Sequence, residues 1–191
     1  PLQSTSTSQV LGPGSRYEID ATIADIYLVS NTNPNSIVGR PTIYFVIDVF
    51  SRLVTGFYIG FESPSYLAAI QALNLAMTDK VKYCAEYGIN IQSEDWPAIG
   101  LPDALLADRG ELLGYQIEAL EKTFAVRIEN APARRGDAKG IVEQAFNTYQ
   151  AYFKKEGKGK GVVEGTIVKK TGGRDYRQDA TLNIYEFTEI I

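Results

Sequence analysis

From Tyr17 onward, apolar residues recur at every second position. Tyr17, Ile19, Ala21 and Ile23 share one parity, while Glu18, Asp20 and Thr22 share the other. A period of two predicts a strand, here running from Tyr17 to Val29. Asn31-Thr32-Asn33-Pro34-Asn35 interrupts it with turn-forming residues. Pro41 to Ile47 is β-branched and aromatic and reads as a buried strand, and Arg52 to Ile59 as its hairpin-connected neighbour. The period then lengthens: Leu67, Ile70, Leu73, Met77 and Val81 follow helical spacing, with Ser63-Pro64 supplying an N-cap and a first-turn proline. Residues 88–103, with Pro97, Gly100 and Pro102, carry no period. Ala104 to Ala107 reads as a short buried strand, Tyr115 to Phe124 as a helix and Ala125 to Ile128 as a strand. From Gly136 to Glu156 a long helix sets Val142, Phe146, Tyr149 and Phe153 opposite Lys139, Glu143, Asn147, Gln150 and Lys154.

This order, β-β-β-α-β-α-β-α, describes an α/β protein with a mixed central sheet and helices on both faces. At 191 residues and 45% hydrophobic the chain can bury a real core as one domain. We expect a flexible lead-in over 1–15, a core over 16–156, and a basic hinge and C-terminal extension over 157–191. Gly157-Lys158-Gly159-Lys160-Gly161 lacks the spacing of a nucleotide-binding P-loop.

Composition removes several chemistries. The chain has no histidine and one cysteine, Cys84. Ser-His-Asp and Cys-His catalysis, His-based zinc sites and internal disulfides are thereby excluded. A lone cysteine fits a reducing cytosol. No run approaches a membrane-spanning length and no signal peptide is visible, so a cytoplasmic location is expected. A start at Pro1 instead of Met suggests a piece of a longer protein. Cys84 reads as packing, and Trp96 as an anchor for the 88–103 segment.

The net charge of −4 argues at first against a nucleic-acid partner. Its distribution changes that. Residues 1–130 carry 8 basic and 15 acidic side chains, whereas residues 131–177 carry 11 basic and 5 acidic. The basic block adjoins Glu143, and a phosphate backbone would be attracted there. Arg134 and Arg135, Lys139, and the pair Lys154-Lys155 are the candidate phosphate contacts. The same residues also fit a solvated helix face and tail. Lys139, one turn before Glu143, fits either a phosphate contact or neutralisation of that carboxylate.

Three acidic residues stand out. Asp20 interrupts a strand, Asp108 closes the apolar run Ala104-Leu105-Leu106-Ala107, and Glu143 lies on the long helix. Asp108 and Glu143 are separated by 34 residues. Each alone also fits a bland role: an edge-strand Asp, a turn Asp, a solvated helix Glu. Together, two strand carboxylates and a helix carboxylate supply the hard oxygen ligands of a two-Mg²⁺ phosphoryl-transfer site. Asp48 is a fourth candidate, for which pairing with Arg52 or another cation is the simpler expectation.

Four motifs in order carry a resemblance: Glu18-Ile19-Asp20-Ala21-Thr22, Ile47-Asp48-Val49-Phe50-Ser51-Arg52, Asp108-Arg109-Gly110-Glu111 and Lys139-Gly140-Ile141-Val142-Glu143. From about Tyr17 to Phe153 the chain resembles DDE transposases and retroviral-type integrases of the RNase H-like fold, with TnsB-type transposases the most similar in wording. The resemblance implies that Asp20, Asp108 and Glu143 are the catalytic, metal-holding trio, with Mg²⁺ or Mn²⁺ bound as two ions. It implies 3′-end cleavage by water, then joining by a 3′-hydroxyl, with no covalent protein intermediate. It also implies transposon-end and target DNA as partners and self-assembly on DNA. An endonuclease subunit and an AAA+ ATPase target selector would be further partners. Two other functions stay open: a metal-dependent nuclease or resolvase of the same fold, and a catalytically inactive DNA-binding or assembly module.

Overall fold

The structure, a computed structural model, describes residues 10–107, 121–122, 125–130, 140–164 and 175–191. A five-stranded sheet runs in the order β5-β4-β1-β6-β7, from β1 (Tyr17–Ile23), β4 (Thr42–Asp48), β5 (Val54–Gly60), β6 (Ala104–Ala107) and β7 (Arg127–Asn130). β2 (Leu28–Val29) and β3 (Ile37–Gly39) form a separate antiparallel pair. β6 is parallel to both β1 and β7. β4 and β5 are sheet neighbours joined by only Val49–Leu53, a connection too short for a parallel crossover, so they pair antiparallel. The sheet is therefore mixed, as the sequence pattern predicts. The expected strand over 17–29 is broken after Ile23. Its remainder pairs with β3.

The helices are α1 (Tyr66–Met77), α2 (Lys80–Glu86), α3 (Gly140–Glu156) and α4 (Ile184–Ile190). Ser65, not Ser63, caps α1: its side chain accepts from the Ala68 N–H. Pro64 then precedes the cap. The helical period seen through Val81 is split at Thr78–Asp79, where the Asp79 carboxylate accepts from Val81 N–H and starts α2. The helix expected over Tyr115–Phe124 lies outside the described residues except at Glu121–Lys122, where it is helical.

The chain falls into two compact units: Pro1–Ala21, Tyr44–Tyr58 and Pro64–Ala145 form the first, and Thr22–Ile43, Ile59–Ser63 and Phe146–Ile191 the second. In the first, Tyr17, Ile19, Tyr44, Val46, Leu105 and Ala107 pack with Ala68, Ala69, Ala72, Leu73 and Ala76 of α1. Small residues bring α1 close. A Cβ on Gly56 would lie 2.3 Å from the Ala72 carbonyl oxygen, so β5 needs glycine there. Residues Gly12–Ser15 form a turn, and Gly14 accepts from Asp103 N–H and donates to Asp48.

In the second unit, Ile26 bridges Val162, and the Tyr27 N–H donates to the Gly161 carbonyl. Phe153 and Phe187 meet edge to face with centroids 5.3 Å apart. Asn183 and Glu186 close a capping box at α4.

Candidate active site

The site is built on one face of β1. Because strand side chains alternate, Tyr17 and Ile19 face α1 in the core, and Glu18 and Asp20 face the other way. Glu18 is fully buried, and its Oε2 accepts from the Val142 N–H at 3.2 Å. Val142 sits in the first turn of α3, so this bond holds the start of that helix to the carboxylate face of β1. α1 and the first turn of α3 thus flank opposite faces of the sheet. Val142 and Ile141 are buried, whereas Glu143, the next residue, is exposed. Asp20 is half-buried. The register Glu18↔Leu106 sets the C-terminal end of β6 beside this part of β1, and β6 ends at Ala107. Asp108 lies outside the described residues, as do Arg134, Arg135 and Lys139.

The Glu18–Val142 contact therefore brings together the elements that carry Asp20 and Glu143. Glu18 is the residue that sequence reasoning passed over. Its signal was present: two carboxylates on one parity of a strand whose other parity is apolar.

Among the described residues, no group of three or more His, Cys, Asp or Glu side chains gathers as a metal cluster. The donors present are carboxylate oxygens, there is no histidine, and Cys84 is buried on α2. Carboxylate oxygens of this kind suit hard divalent cations.

The other candidates have different settings. Asp48 is buried and accepts from Gly14 N–H at 3.0 Å, from Ser51 N–H at 2.8 Å and from the Ser51 hydroxyl. These donors hold it, in place of the expected Arg52 guanidinium; Arg52 is exposed and in the left-handed region, φ 66°, at the β4–β5 turn. Lys154 sits 2.7 Å from Asp25, which also pairs with Arg40. Lys155 is exposed.

At the opposite end of α1, Lys80 is buried, and its Nζ donates to the carbonyls of Leu75, Ala76 and Thr78. Leu75 also accepts from the Thr78 N–H and Ala76 from the Gly100 N–H, so the ammonium is a further donor at this helix end. Trp96 covers the ammonium at 5.3 Å, stacks on Phe57 and donates its indole N–H to the Val54 carbonyl at 2.7 Å. Trp96 is thus the anchor of the 88–103 segment. Burial pushes the Lys80 pKa down to about 8.

A mixed sheet of this order, with an acidic β1 and helices against both faces, is an RNase H-like fold. A chain of the simian T-cell lymphotropic virus intasome, solved in complex with the PP2A regulatory subunit B56 gamma, matches 77% of this chain and 42% of its own, with TM-score 0.50 and 14% identity. The catalytic core domain of BIV integrase aligns over 84% of this chain with TM-score 0.43. The family described as the TnsB C-terminal domain matches residues 18–159, and the chain belongs to that family. It is 62% identical over its full 191 residues to the transposon Tn7 transposition protein TnsB of Escherichia coli. It is 21% identical over 142 residues to the transposase for transposon Tn552 of Staphylococcus aureus. The chain spans 27% of the length of each of these relatives.

Proposed function

We propose that this chain is the catalytic core of a DDE transposase that cuts the 3′ ends of transposon DNA and joins them to target DNA. The observation that carries this reading is the tethering of α3's first turn, with Glu143, to the β1 face that bears Asp20. The core spans residues 16–156, with 157–191 as an extension. Asp20, Asp108 and Glu143 hold two Mg²⁺ or Mn²⁺ ions. When bound, such ions stabilise the attacking and leaving oxygens of an in-line displacement. The chain's own part is to present oxygen ligands at fixed positions, with Asp20 on a rigid strand and Glu143 reachable from solvent. No side chain acts as nucleophile.

Arg134, Arg135, Lys139 and Lys155 contact phosphates, and Lys154 does so in exchange for Asp25. This chain alone binds DNA weakly and without sequence preference, because nothing in it reads as a groove-reading element. End recognition belongs to other parts of the full-length protein. The transposase assembles with itself on DNA, and an endonuclease subunit and an AAA+ ATPase serve as partners in the cytoplasm. Among the described residues, no helix is long and apolar enough to cross a membrane.

The test is a strand-joining assay with the full-length protein, labelled transposon ends and Mg²⁺. Joined product that disappears in Asp20→Asn supports the reading. Cleavage without joining would favour a nuclease of the same fold, and neither reaction would favour an assembly module.

A further inference from the structure

We propose that Glu18 is a positioning residue that seats the first turn of α3 on β1 and so fixes where the Glu143 carboxylate stands relative to Asp20. The proposal rests on reading Asp20 and Glu143 as working partners. The first N–H groups of a helix have no intrahelical acceptor. At α3 the Val142 N–H finds one 124 residues away in sequence, on Glu18 Oε2. An acceptor oxygen there also faces the positive end of the helix dipole, which favours the contact.

Burial makes this contact specific. Glu18 has no solvent exposure, and a polar group in that setting is costly unless partners within the protein hold it. Its position on β1 is fixed by pairing with Leu106. The contact is also short-range with respect to the site. Glu18 and Asp20 project from the same face of β1, two residues apart, and Val142 and Glu143 are adjacent. A shift of α3 at Val142 therefore carries Glu143 with it. Only residues 140–145 of α3 belong to the compact unit that contains Asp20, and both Val142 and Glu143 lie in that stretch. The buried Ile141 and Val142 side chains set which side of the helix faces inward. The Glu18 bond adds a directional constraint that apolar packing lacks.

The test uses full-length protein and two readouts. Hydrogen–deuterium exchange of the amides over 141–144 is measured without DNA or metal. Single-turnover cleavage is measured at saturating DNA, with DNA affinity measured separately. In Glu18→Leu, exchange over 141–144 rises about tenfold, the equivalent of one hydrogen bond, while exchange across α1 and β4 stays unchanged. Cleavage slows and DNA affinity holds. Glu18→Gln keeps an acceptor oxygen of the same reach, and restores protection and cleavage to within about threefold of the parent. If Glu18→Leu does not fold, Glu18→Asp serves instead, because its shorter side chain withdraws the acceptor and raises the same local exchange.

Unchanged exchange over 141–144 in the folded Leu or Asp variant would overturn the proposal. So would a Glu18→Gln protein with a protected helix but no cleavage, since that result assigns Glu18 to the chemistry itself. Failure of the underlying reading looks different: Asp20→Asn or Glu143→Gln would stay active while the Glu18 exchange effect persists.

Discussion

Two regions of the first unit hold charged side chains, and they treat them in opposite ways. At the C-terminal end of α1, the Lys80 ammonium is enclosed by three carbonyls and the Trp96 ring. At the start of α3, the Glu18 carboxylate is buried on a backbone N–H, but Asp20 is half-buried and Glu143 is exposed. The first region uses charge to finish a helix end and pin an irregular segment. The second uses one buried carboxyl group as a support and leaves two carboxylates where a ligand can reach them. Burial and saturation by the chain's own groups mark a structural charge, and controlled access marks a candidate functional one. Asp48, saturated by Gly14 and Ser51, belongs with the first kind despite lying in a motif beside the site.

The largest expected effect comes from the three candidate metal-holding carboxylates. Asp20→Asn, Asp108→Asn and Glu143→Gln in the full-length protein should each lower cleavage and joining by at least about a hundredfold. Their thermal unfolding should stay level or shift upward, because each change reduces repulsion among neighbouring carboxylates. A variant that keeps full activity, or that loses much stability, would break the contrast between the two regions.

The saturated charges should behave in the reverse sense. Lys80→Met leaves the carbonyls of Leu75, Ala76 and Thr78 without their shared donor, and Asp48→Ala strips an acceptor from Gly14 and Ser51. Each should cost about 1–3 kcal/mol in denaturant unfolding. The remaining folded protein should retain its cleavage rate. Loss of activity at full stability would move that residue into the functional group.

A smaller effect is expected from the basic block. Arg134→Ala combined with Arg135→Ala should weaken DNA binding and flatten its dependence on salt, by about 0.9 in the log–log slope for each lost phosphate contact. The preferred end sequence should not change. A changed end preference would assign sequence reading to Arg134 and Arg135.

The smallest effect is a pH dependence. The folded Lys80 pKa, about 8, lies below its ordinary value of 10.5. Between these values the unfolded chain binds more protons than the folded one, so stability should rise with pH across that window. Lys80→Met should flatten the rise, as read by unfolding midpoints from pH 7 to 10. A rise that persists unaltered would show that Lys80 is not the group responsible.

Much of this was legible along the chain. Period two in β1, the unbroken apolar run of β4 and the apolar stripe of α3 fix element type, because one face of each must be buried. The Asp20 and Glu143 positions were visible as polar residues whose spacing matches a known order of elements. The boundaries were less legible. Ser65 caps α1 although Ser63-Pro64 offered a plausible start, since any nearby hydroxyl can serve and the backbone path selects which one does. The helical period through Val81 gave no sign that Asp79 would open a second helix.

The sequence by itself determined the alternation of elements, the absence of imidazole chemistry, the separation of acidic and basic stretches, and the acidic residues available for hard-metal chemistry. These are local properties, set by each residue's own chemistry and by its neighbours within a turn or two. Only the tertiary structure decided which charges are used up inside the protein. Glu18 meets Val142 across 124 residues, Trp96 reaches Val54 across 42, and Lys154 reaches Asp25 across 129. Such partners are chosen by strand order and by which helix covers which face, and the energy of a charge depends on that enclosure. A carboxylate in a strand therefore reads the same in sequence whether it holds a helix in place or stands ready for a ligand.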